Sequence, residues 1–416
     1  MTAKNSLAPA EGWRSSWIFV TVLFAVASFV ETLGFGHLGA FTPLYLRQLG
    51  VPAEAIPQWT GYLAAASFVI GLPLAPFWGI WADKYSRKMI IVRSAFGEAL
   101  IFFVASMSTN VWHLLIARAL VGLILGNTGV MYAFISYVAP RTNWGLAIGT
   151  IGLGGTLGMS VGPLLGGHLV TQWGIRPLLV MDAALSLLVA LLLTLAVREK
   201  RVPKLAEGSS LQMLASLGRS VLRMPAIVAL FATYAVVLLG LQIGTPFVPI
   251  LVEKLYVGAD LPLAIGFVSG GFAVSSAVFT PLWGKLGDRA GYRRMLILAT
   301  AILVPTLAAQ AFVGDTSQLF FARMVQGAFQ AAITPLWTAL VALHTPEERR
   351  SSILNLTLFP NYFAWIVGAT AGAGVASFSV HSIFLAGSVI LIPGLAMLLK
   401  MTPQDGPTEN ETALKD

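Results

Sequence analysis

The chain has 416 residues, 56% of them hydrophobic and 11% charged, whereas a soluble domain carries about 25% charged residues, so a water-soluble globular protein is excluded. The absence of cysteine excludes disulfides and thiolate metal sites. A net charge of +8 would suit nucleic acid, a reading that depends on where the basic residues lie.

Residues 1–15 are polar and read as a terminal segment. The apolar run from Trp17 continues past Leu33, too long for a signal-peptide core and without a convincing small-residue cleavage site. It is therefore the first of six predicted membrane crossings, at 16–46, 57–80, 89–108, 112–138, 143–170 and 175–198, each long enough for roughly 30 Å of hydrocarbon. They form one bundle over 16–198. The connection 199–224 begins with Glu199, Lys200 and Arg201. It then places Leu211, Leu214, Leu217, Val221 and Leu222 on one helical face, a pattern suited to a membrane-surface helix. Six further crossings at 225–253, 261–284, 294–313, 317–343, 351–376 and 380–400 form a second bundle over 225–400. The polar tail 401–416 has a disordered composition. The predicted fold class is an all-α integral membrane protein with twelve transmembrane helices in two pseudo-symmetric six-helix bundles.

Twelve crossings place both termini on one side. Lys84, Arg87, Lys88, Arg198, Lys200, Arg201, Lys204, Arg289, Arg293, Arg294, Arg349 and Arg350 fall on that side, and only Arg47, Arg176 and Lys254 on the other, while Arg118 and Arg323 lie inside helices. Basic loops resist translocation, so both termini are expected in the cytoplasm and the chain in the cytoplasmic (inner) membrane. The positive charge is a topology signal, and no nucleic-acid partner is expected.

Pro76-Phe77-Trp78-Gly79-Ile80-Trp81-Ala82-Asp83-Lys84-Tyr85 reappears 205 positions later as Pro281-Leu282-Trp283-Gly284-Lys285-Leu286-Gly287-Asp288-Arg289-Ala290. At the same offset Gly61 matches Gly266, Ala117-Arg118 matches Ala322-Arg323, and Gly122 matches Gly327. A register held this far implies duplicated six-helix units of parallel orientation, with a binding site where they meet.

These residues resemble the major facilitator superfamily. Gly79, Asp83, Lys84, Arg87 and Lys88 match its signature between helices 2 and 3, with Ser86 where the family usually has glycine. Gly284, Asp288, Arg289, Gly291 and Arg293 form the second copy. The resemblance implies a gate: Gly79 permits close helix approach, and Asp83 accepts hydrogen bonds from a neighbouring helix start and pairs with a cation. Helix 5 carries Gly149, Gly158, Gly162, Pro163, Gly166 and Gly167, a full match to the pattern of the superfamily's antiporters, particularly its twelve-helix drug:proton exporters. Helix 4 carries Arg118, but Val121 replaces the glutamine of the family's Arg-x-x-Gln-Gly, which is complete at Arg323, Gln326 and Gly327.

Acids inside a membrane cost about 2.5–3.5 kcal/mol each near its centre. Glu31, Glu98 and Asp182 lie well inside helices, all in the first half, so that half is expected to handle protons. Glu31 is the leading candidate, about 22 Å from the inner face, at a depth where it could meet Arg118; Asp182 could pair with Arg118 instead, and Glu98 could be a structural hydrogen-bonding group. The resemblance places helices 1, 4, 7 and 10 around a central cavity. Glu31, Asn127, Gln242 and Gln330 are its polar candidates, with Asn361 and Tyr362 from helix 11, and Met131, Tyr132, Phe359 and Trp365 as adaptable apolar walls.

The expected function is a proton-coupled antiporter exporting lipophilic, neutral or cationic small molecules by alternating access. The alternative is a carrier of the same superfamily for a specific metabolite or lipid. The five histidines are scattered without metal-ligand spacing and there is no nucleophile motif, so neither an enzyme nor a metal or cofactor protein is expected. The expected partners are a small-molecule substrate, protons and the lipid bilayer, with the chain acting as a monomer.

Overall fold

A computed structural model describes residues 16–199, 219, 221–345, 353–354 and 356–401, without the side-chain surroundings of residues 75, 76, 79, 80 and 83. Both terminal segments, the apolar face from Leu211 to Leu217, and Arg349 and Arg350 lie outside the described residues.

The first half contains α1 (Trp17–Gln48), α2 (Ile56–Lys84), α3 (Arg87–Ser106), α4 (Val111–Val121), α5 (Asn127–Val138), α6 (Trp144–Trp173) and α7 (Ile175–Ala196). The second contains α8 (Pro225–Gln242), α9 (Val248–Leu255), α10 (Leu261–Ala290), α11 (Tyr292–Gln310), α12 (Thr316–Gln330), α13 (Ile333–Leu343), α14 (Leu358–Ala376) and α15 (Val380–Lys400). Eight helical segments among the described residues are long and apolar enough to cross a membrane. The other crossings are α2, α14 and two divided helices. An all-helical solution follows from the solvent, because hydrocarbon cannot satisfy an exposed backbone amide.

Three crossings expected to be continuous are broken. Helix 4 divides into α4 and α5 at residues 122–126, where Gly126 adopts a left-handed φ of 93°. Helix 7 divides into α8 and α9 through a short 3₁₀ segment, Thr245–Phe247, and helix 10 divides into α12 and α13 at Ala331 and Ala332. A broken helix is tolerated at membrane depth where it is buried in protein or lines a cavity.

The repeated charged sequence is largely helical rather than a turn, since α2 runs to Lys84 and α10 to Ala290. Two residues, Tyr85 and Ser86, form the first connection, and Gly291 alone forms the second. Gly291 has a φ of 91°, a conformation that costs glycine little. Ser86 is extended and caps α3 by accepting from the Met89 amide at 3.0 Å. The serine-for-glycine departure thus replaces a left-handed hinge with a side-chain cap.

Within the first bundle α1 packs along α6, and α3 along α7; within the second, α10 packs along α12, and α11 along α15. The bundles meet through α2 against α14 and α6 against α10. The repeat supplies both crossings. A Cβ at Gly61 would lie 2.4 Å from the Ala369 carbonyl oxygen, and a Cβ at Gly266 2.4 Å from the Pro163 carbonyl oxygen. Both glycines stand near the helix ends opposite the connections at Tyr85–Ser86 and Gly291; the face bearing those connections is the near face and the opposite one the far face.

Alanine at Gly61 or Gly266 must displace backbone, an overpacking cost of about 1–3 kcal/mol. By contrast, Gly149 and Gly284 face open space. The expected outcome in detergent melting curves is a lowered midpoint for Gly61→Ala and Gly266→Ala, and an unchanged or raised one for Gly149→Ala and Gly284→Ala, where alanine also favours the helix.

Candidate functional site

A cavity of about 450 Å³ lies between the bundles. Its floor on the far side is the glycine-mediated contact of α6 with α10 and an aromatic contact of α2 with α14. There Phe68 stacks on Trp365 with ring centres 5.1 Å apart and meets Tyr362 at 5.2 Å. Beyond that floor, Arg47 of α1 and Glu253 of α9 form an ion pair at 2.8 Å between the bundles. The described conformation is closed toward the far face.

Among the predicted site residues, Arg118, Pro163, Gln242, Gln330 and Trp365 line the cavity. Met131 does not: it is fully buried in the core of the first bundle. Phe359 packs against the second bundle's core. Tyr132 is half-buried with its hydroxyl near Gly152, Asn361 is half-buried, and Tyr362 is buried against Phe68. Unforeseen wall residues include Phe35, Thr42, Ser67, Phe68, Phe272 and Arg323. The Arg323 signal was present in the repeat, since it occupies the place of Arg118.

The two arginines are held differently. Arg323 donates from Nη1 to Gln326 Oε1 at 2.7 Å and lies over the Phe272 ring at 4.2 Å. Gln310 also donates to Gln326 Oε1, and Gln326 donates to Gln330. Val121 cannot play the Gln326 part for Arg118. Instead Ser67 donates to the Arg118 carbonyl at 2.7 Å, tying α4 to α2 while the guanidinium reaches the cavity wall. Among the described residues no carboxylate lies within ion-pair distance of either arginine.

The expected contact between Glu31 and Arg118 is therefore absent from this conformation. Glu31 is 9% exposed and accepts a hydrogen bond from Asn127 Nδ2 at 3.3 Å. Equal depth placed the two groups on one level, but their helices direct them apart. The alternative pairing of Asp182 with Arg118 is also not formed, because both Asp182 oxygens lie 2.9 Å from His37 Nδ1. Glu98, read as a structural hydrogen-bonding group, is 5% exposed with its Oε1 unpartnered among the described residues, and Glu31 and Asp182 are its charged neighbours. The part played by His37 was missed, since its partner is 145 residues away and no local spacing announces it.

The helix 5 glycines serve two neighbours. A Cβ at Gly158 would lie 2.2 Å from the Phe29 carbonyl oxygen, and one at Gly162 2.8 Å from that of Leu33. Both therefore seat α6 on the backbone of α1, where Thr32 also donates to the Gly155 carbonyl at 2.7 Å. Gly166 makes room for the His37 ring, and Gly167 faces Pro262 and Leu263 of α10. The same stripe thus touches α1 and the opposite bundle.

At the near face, Glu199 accepts from Ser86 Oγ and from the Arg87 and Lys88 amides, satisfying the first turn of α3. Lys88 Nζ donates to the Thr194 carbonyl at the end of α7, and Arg293, its repeat partner, donates to the Leu398 and Leu399 carbonyls at the end of α15. These cations clamp helix C-termini within their own bundles. Arg87 lies over the Tyr137 ring, and Lys84 faces Tyr85. Asp288 accepts from the Tyr292 hydroxyl at 2.6 Å, and Arg289 is exposed. Gly284 faces open space. Gly79 and Asp83 lie in α2, their surroundings outside the described set.

Residues 24–263 and 233–415 match the Major Facilitator Superfamily. The chain is 32% identical over 363 residues to "Multidrug resistance protein MdtG" of Citrobacter koseri, covering 86% of this chain and 88% of that protein. The protein of the same name from Enterobacter lignolyticus is 31% identical over 376 residues, with 88% of each chain covered. Among solved structures, the nucleoside transporter NupG superposes with a TM-score of 0.75 at 17% identity, covering 92% of this chain and 100% of that one. A bacterial homologue of the human lysosomal transporter Spinster, inward-facing and unoccupied, gives 0.76 at 16% identity, covering 94% and 97%.

The Arg47–Glu253 pair is partly exposed, with 47% and 20% of the two side chains accessible, so it is worth about 0.2–1 kcal/mol. Arg47→Glu is expected to raise far-side labelling of a single cysteine placed at Thr42 by no more than about fivefold. The swap Arg47→Glu with Glu253→Arg is expected to restore the original labelling. The cysteine-free background makes that readout unambiguous.

Proposed function

The chain belongs to the Major Facilitator Superfamily, and from that premise we propose that it is a proton-coupled exporter of lipophilic small molecules. It works by alternating access in the cytoplasmic membrane, as a monomer, with both termini in the cytoplasm. The observation that carries this reading is the mostly apolar cavity between the bundles, closed toward the far face, with the buried, membrane-embedded Glu31 on α1, a helix that also lines the cavity. The name of its relatives, multidrug resistance protein, supports efflux of more than one compound.

The near face is the cytoplasmic one, because the basic clamps Lys88 and Arg293 lie there. Substrate enters the cavity from that side. Export then requires the far floor to part at Gly61, Gly266 and Arg47–Glu253. The near ends must close together, a step assigned to Asp83 and Asp288 with Gly79, Gly284, Lys84, Arg87 and Arg289. Glu31 carries the inward proton, which contributes about 2.3 kcal/mol per 100 mV of membrane potential. The connection 199–224 tethers the two bundles, 16–198 and 225–400.

The cavity wall changes the expected substrate polarity. It carries Arg118 and Arg323 and, among the described residues, no aspartate or glutamate, so Glu31 is not positioned as a counter-ion for a cation in the cavity. Neutral lipophilic molecules fit the wall best. A second reading, favoured by the two guanidiniums, is a lipophilic molecule bearing one anionic group.

In proteoliposomes with an imposed pH gradient, a panel of cationic, neutral and anionic lipophilic compounds should show gradient-driven flux of several members. Glu31→Gln should lower that flux at least about tenfold, the effect of losing 1.4 kcal/mol of drive, while substrate counterflow persists. Undiminished gradient-driven flux in that variant would overturn the role of Glu31. Transport of a single compound would overturn the multidrug reading.

A further inference from the structure

One face of α1 lines the cavity with Phe35, Gly36, Gly39, Ala40 and Thr42. The opposite face looks into the first bundle. There a Cβ at Gly34 would lie 2.3 Å from Phe102 of α3, His37 meets Asp182 of α7, and Tyr45 donates to the Ala105 carbonyl at 2.6 Å. At 100° per residue, Glu31 falls on the border between these faces. Phe102 is one turn beyond Glu98 on α3, so its contact with Gly34 sets Glu98 level with Glu31.

Glu98 Oε1 is buried and accepts no hydrogen bond among the described residues, and neither His37 Nε2 nor Ser186 Oγ has a partner there. A buried polar atom without a partner is expensive and calls for a ligand or a function. The groups facing Glu98 can be named element by element. From α1 they are Glu31 and, farther out, His37; from α7, Asp182. From α4 and α5 comes the uncharged Asn127, since Arg118 points to the cavity. The only charged residues of α2 are Asp83 and Lys84, at its near end. On α3 itself, the Arg93 guanidinium stacks on Trp78 at 3.8 Å and bonds Ser94. No cation within ion-pair distance offsets Glu98 among the described residues.

We propose that Glu98, together with the His37–Asp182 pair, forms a second proton-carrying site inside the first bundle, which exchanges protons with Glu31 past α1 and is separate from the substrate cavity. This rests on the proton-coupled reading above. Two carboxylates facing each other in a low-dielectric interior repel, and one proton shared between them removes that repulsion. The Glu98 carboxyl, when protonated, passes its proton to the Glu31 carboxylate, and the His37–Asp182 pair replenishes it from the far side. One proton enters and one leaves, with no change in any other bond. Substrate and proton therefore occupy different places, and α1 couples them by moving as the shared wall.

Acid–base infrared difference spectra of the purified, substrate-free protein test this, with the proton as the only ligand. Wild type should show two carboxyl C=O bands titrating together. Glu31→Gln should remove one and shift the other, and Glu98→Gln should do the reciprocal. Asp182→Asn should shift both midpoints. A Glu98→Gln spectrum identical to wild type, or a Glu98 band indifferent to Glu31→Gln, would overturn the proposal. In proteoliposomes, Glu98→Gln should lower pH-gradient-driven flux of radiolabelled chloramphenicol, a neutral lipophilic probe, at least about tenfold, and Glu98→Asp should restore most of it. Chloramphenicol counterflow, which needs no net proton movement, shows that the variant is folded. If wild type itself fails to respond to the gradient, the proton-coupled reading falls, while the spectra still decide whether Glu98 and Glu31 share a proton.

Discussion

The approach of two backbone pairs, Gly61 to Ala369 and Gly266 to Pro163, governs how the molecule is assembled. Each glycine stands where a Cβ would lie 2.4 Å from a carbonyl oxygen, so the bundles touch on the far side at backbone distance. The bundles are joined there, and the cavity is the space between them on the near side of that contact. Because hydrocarbon supplies little hydrophobic drive between helices, such close packing is the main attraction available at these crossings. It is also easily undone, since it is made of many small contacts and one partly exposed ion pair rather than a large buried polar network.

Duplication explains the symmetry of this framework, and divergence explains its chemistry. Gly122 packs on the Ser67 carbonyl as Gly327 packs on that of Phe272, and Lys88 and Arg293 clamp equivalent helix ends. The second bundle places its buried polarity in a hydrogen-bonded network of Arg323, Gln326, Gln310 and Gln330, in which Gln310 Oε1 and Arg323 Nε have no partner among the described residues. The first holds Glu31, Glu98, Asp182 and His37 with several atoms lacking partners. What separates the halves is charge rather than satisfaction: the three carboxylates well inside helices, Glu31, Glu98 and Asp182, all lie in the first. The half with the acids is the one to which we assign proton traffic, with α1 as the helix shared by that traffic and the cavity.

Depth along each helix was legible in the sequence, and direction around it was not. The ends of α6, α7 and α15 fall within a few residues of those expected, because long apolar runs and charged ends define a crossing. Glu31 and Arg118 share a depth, yet Asn127 faces Glu31 and the cavity receives Arg118. Met131, at the right depth for a cavity wall, points into the core. A helix that is apolar on all sides carries no periodicity from which to read its facing. The breaks at Gly126 and at Thr245–Phe247 were hidden for a related reason: glycine and proline are common in membrane helices and do not by themselves mark a break. The His37–Asp182 pair is a tertiary contact with no local pattern at all.

Reciprocal linkage is the core of this account: binding of substrate must change how strongly the protein holds a proton. The most direct measurement mixes purified protein with a transported compound in weakly buffered solution and follows a pH indicator by stopped flow. Proton release that accompanies binding in wild type and disappears in Glu31→Gln is the predicted result. Saturable substrate binding with no proton released or taken up at any pH would contradict the account.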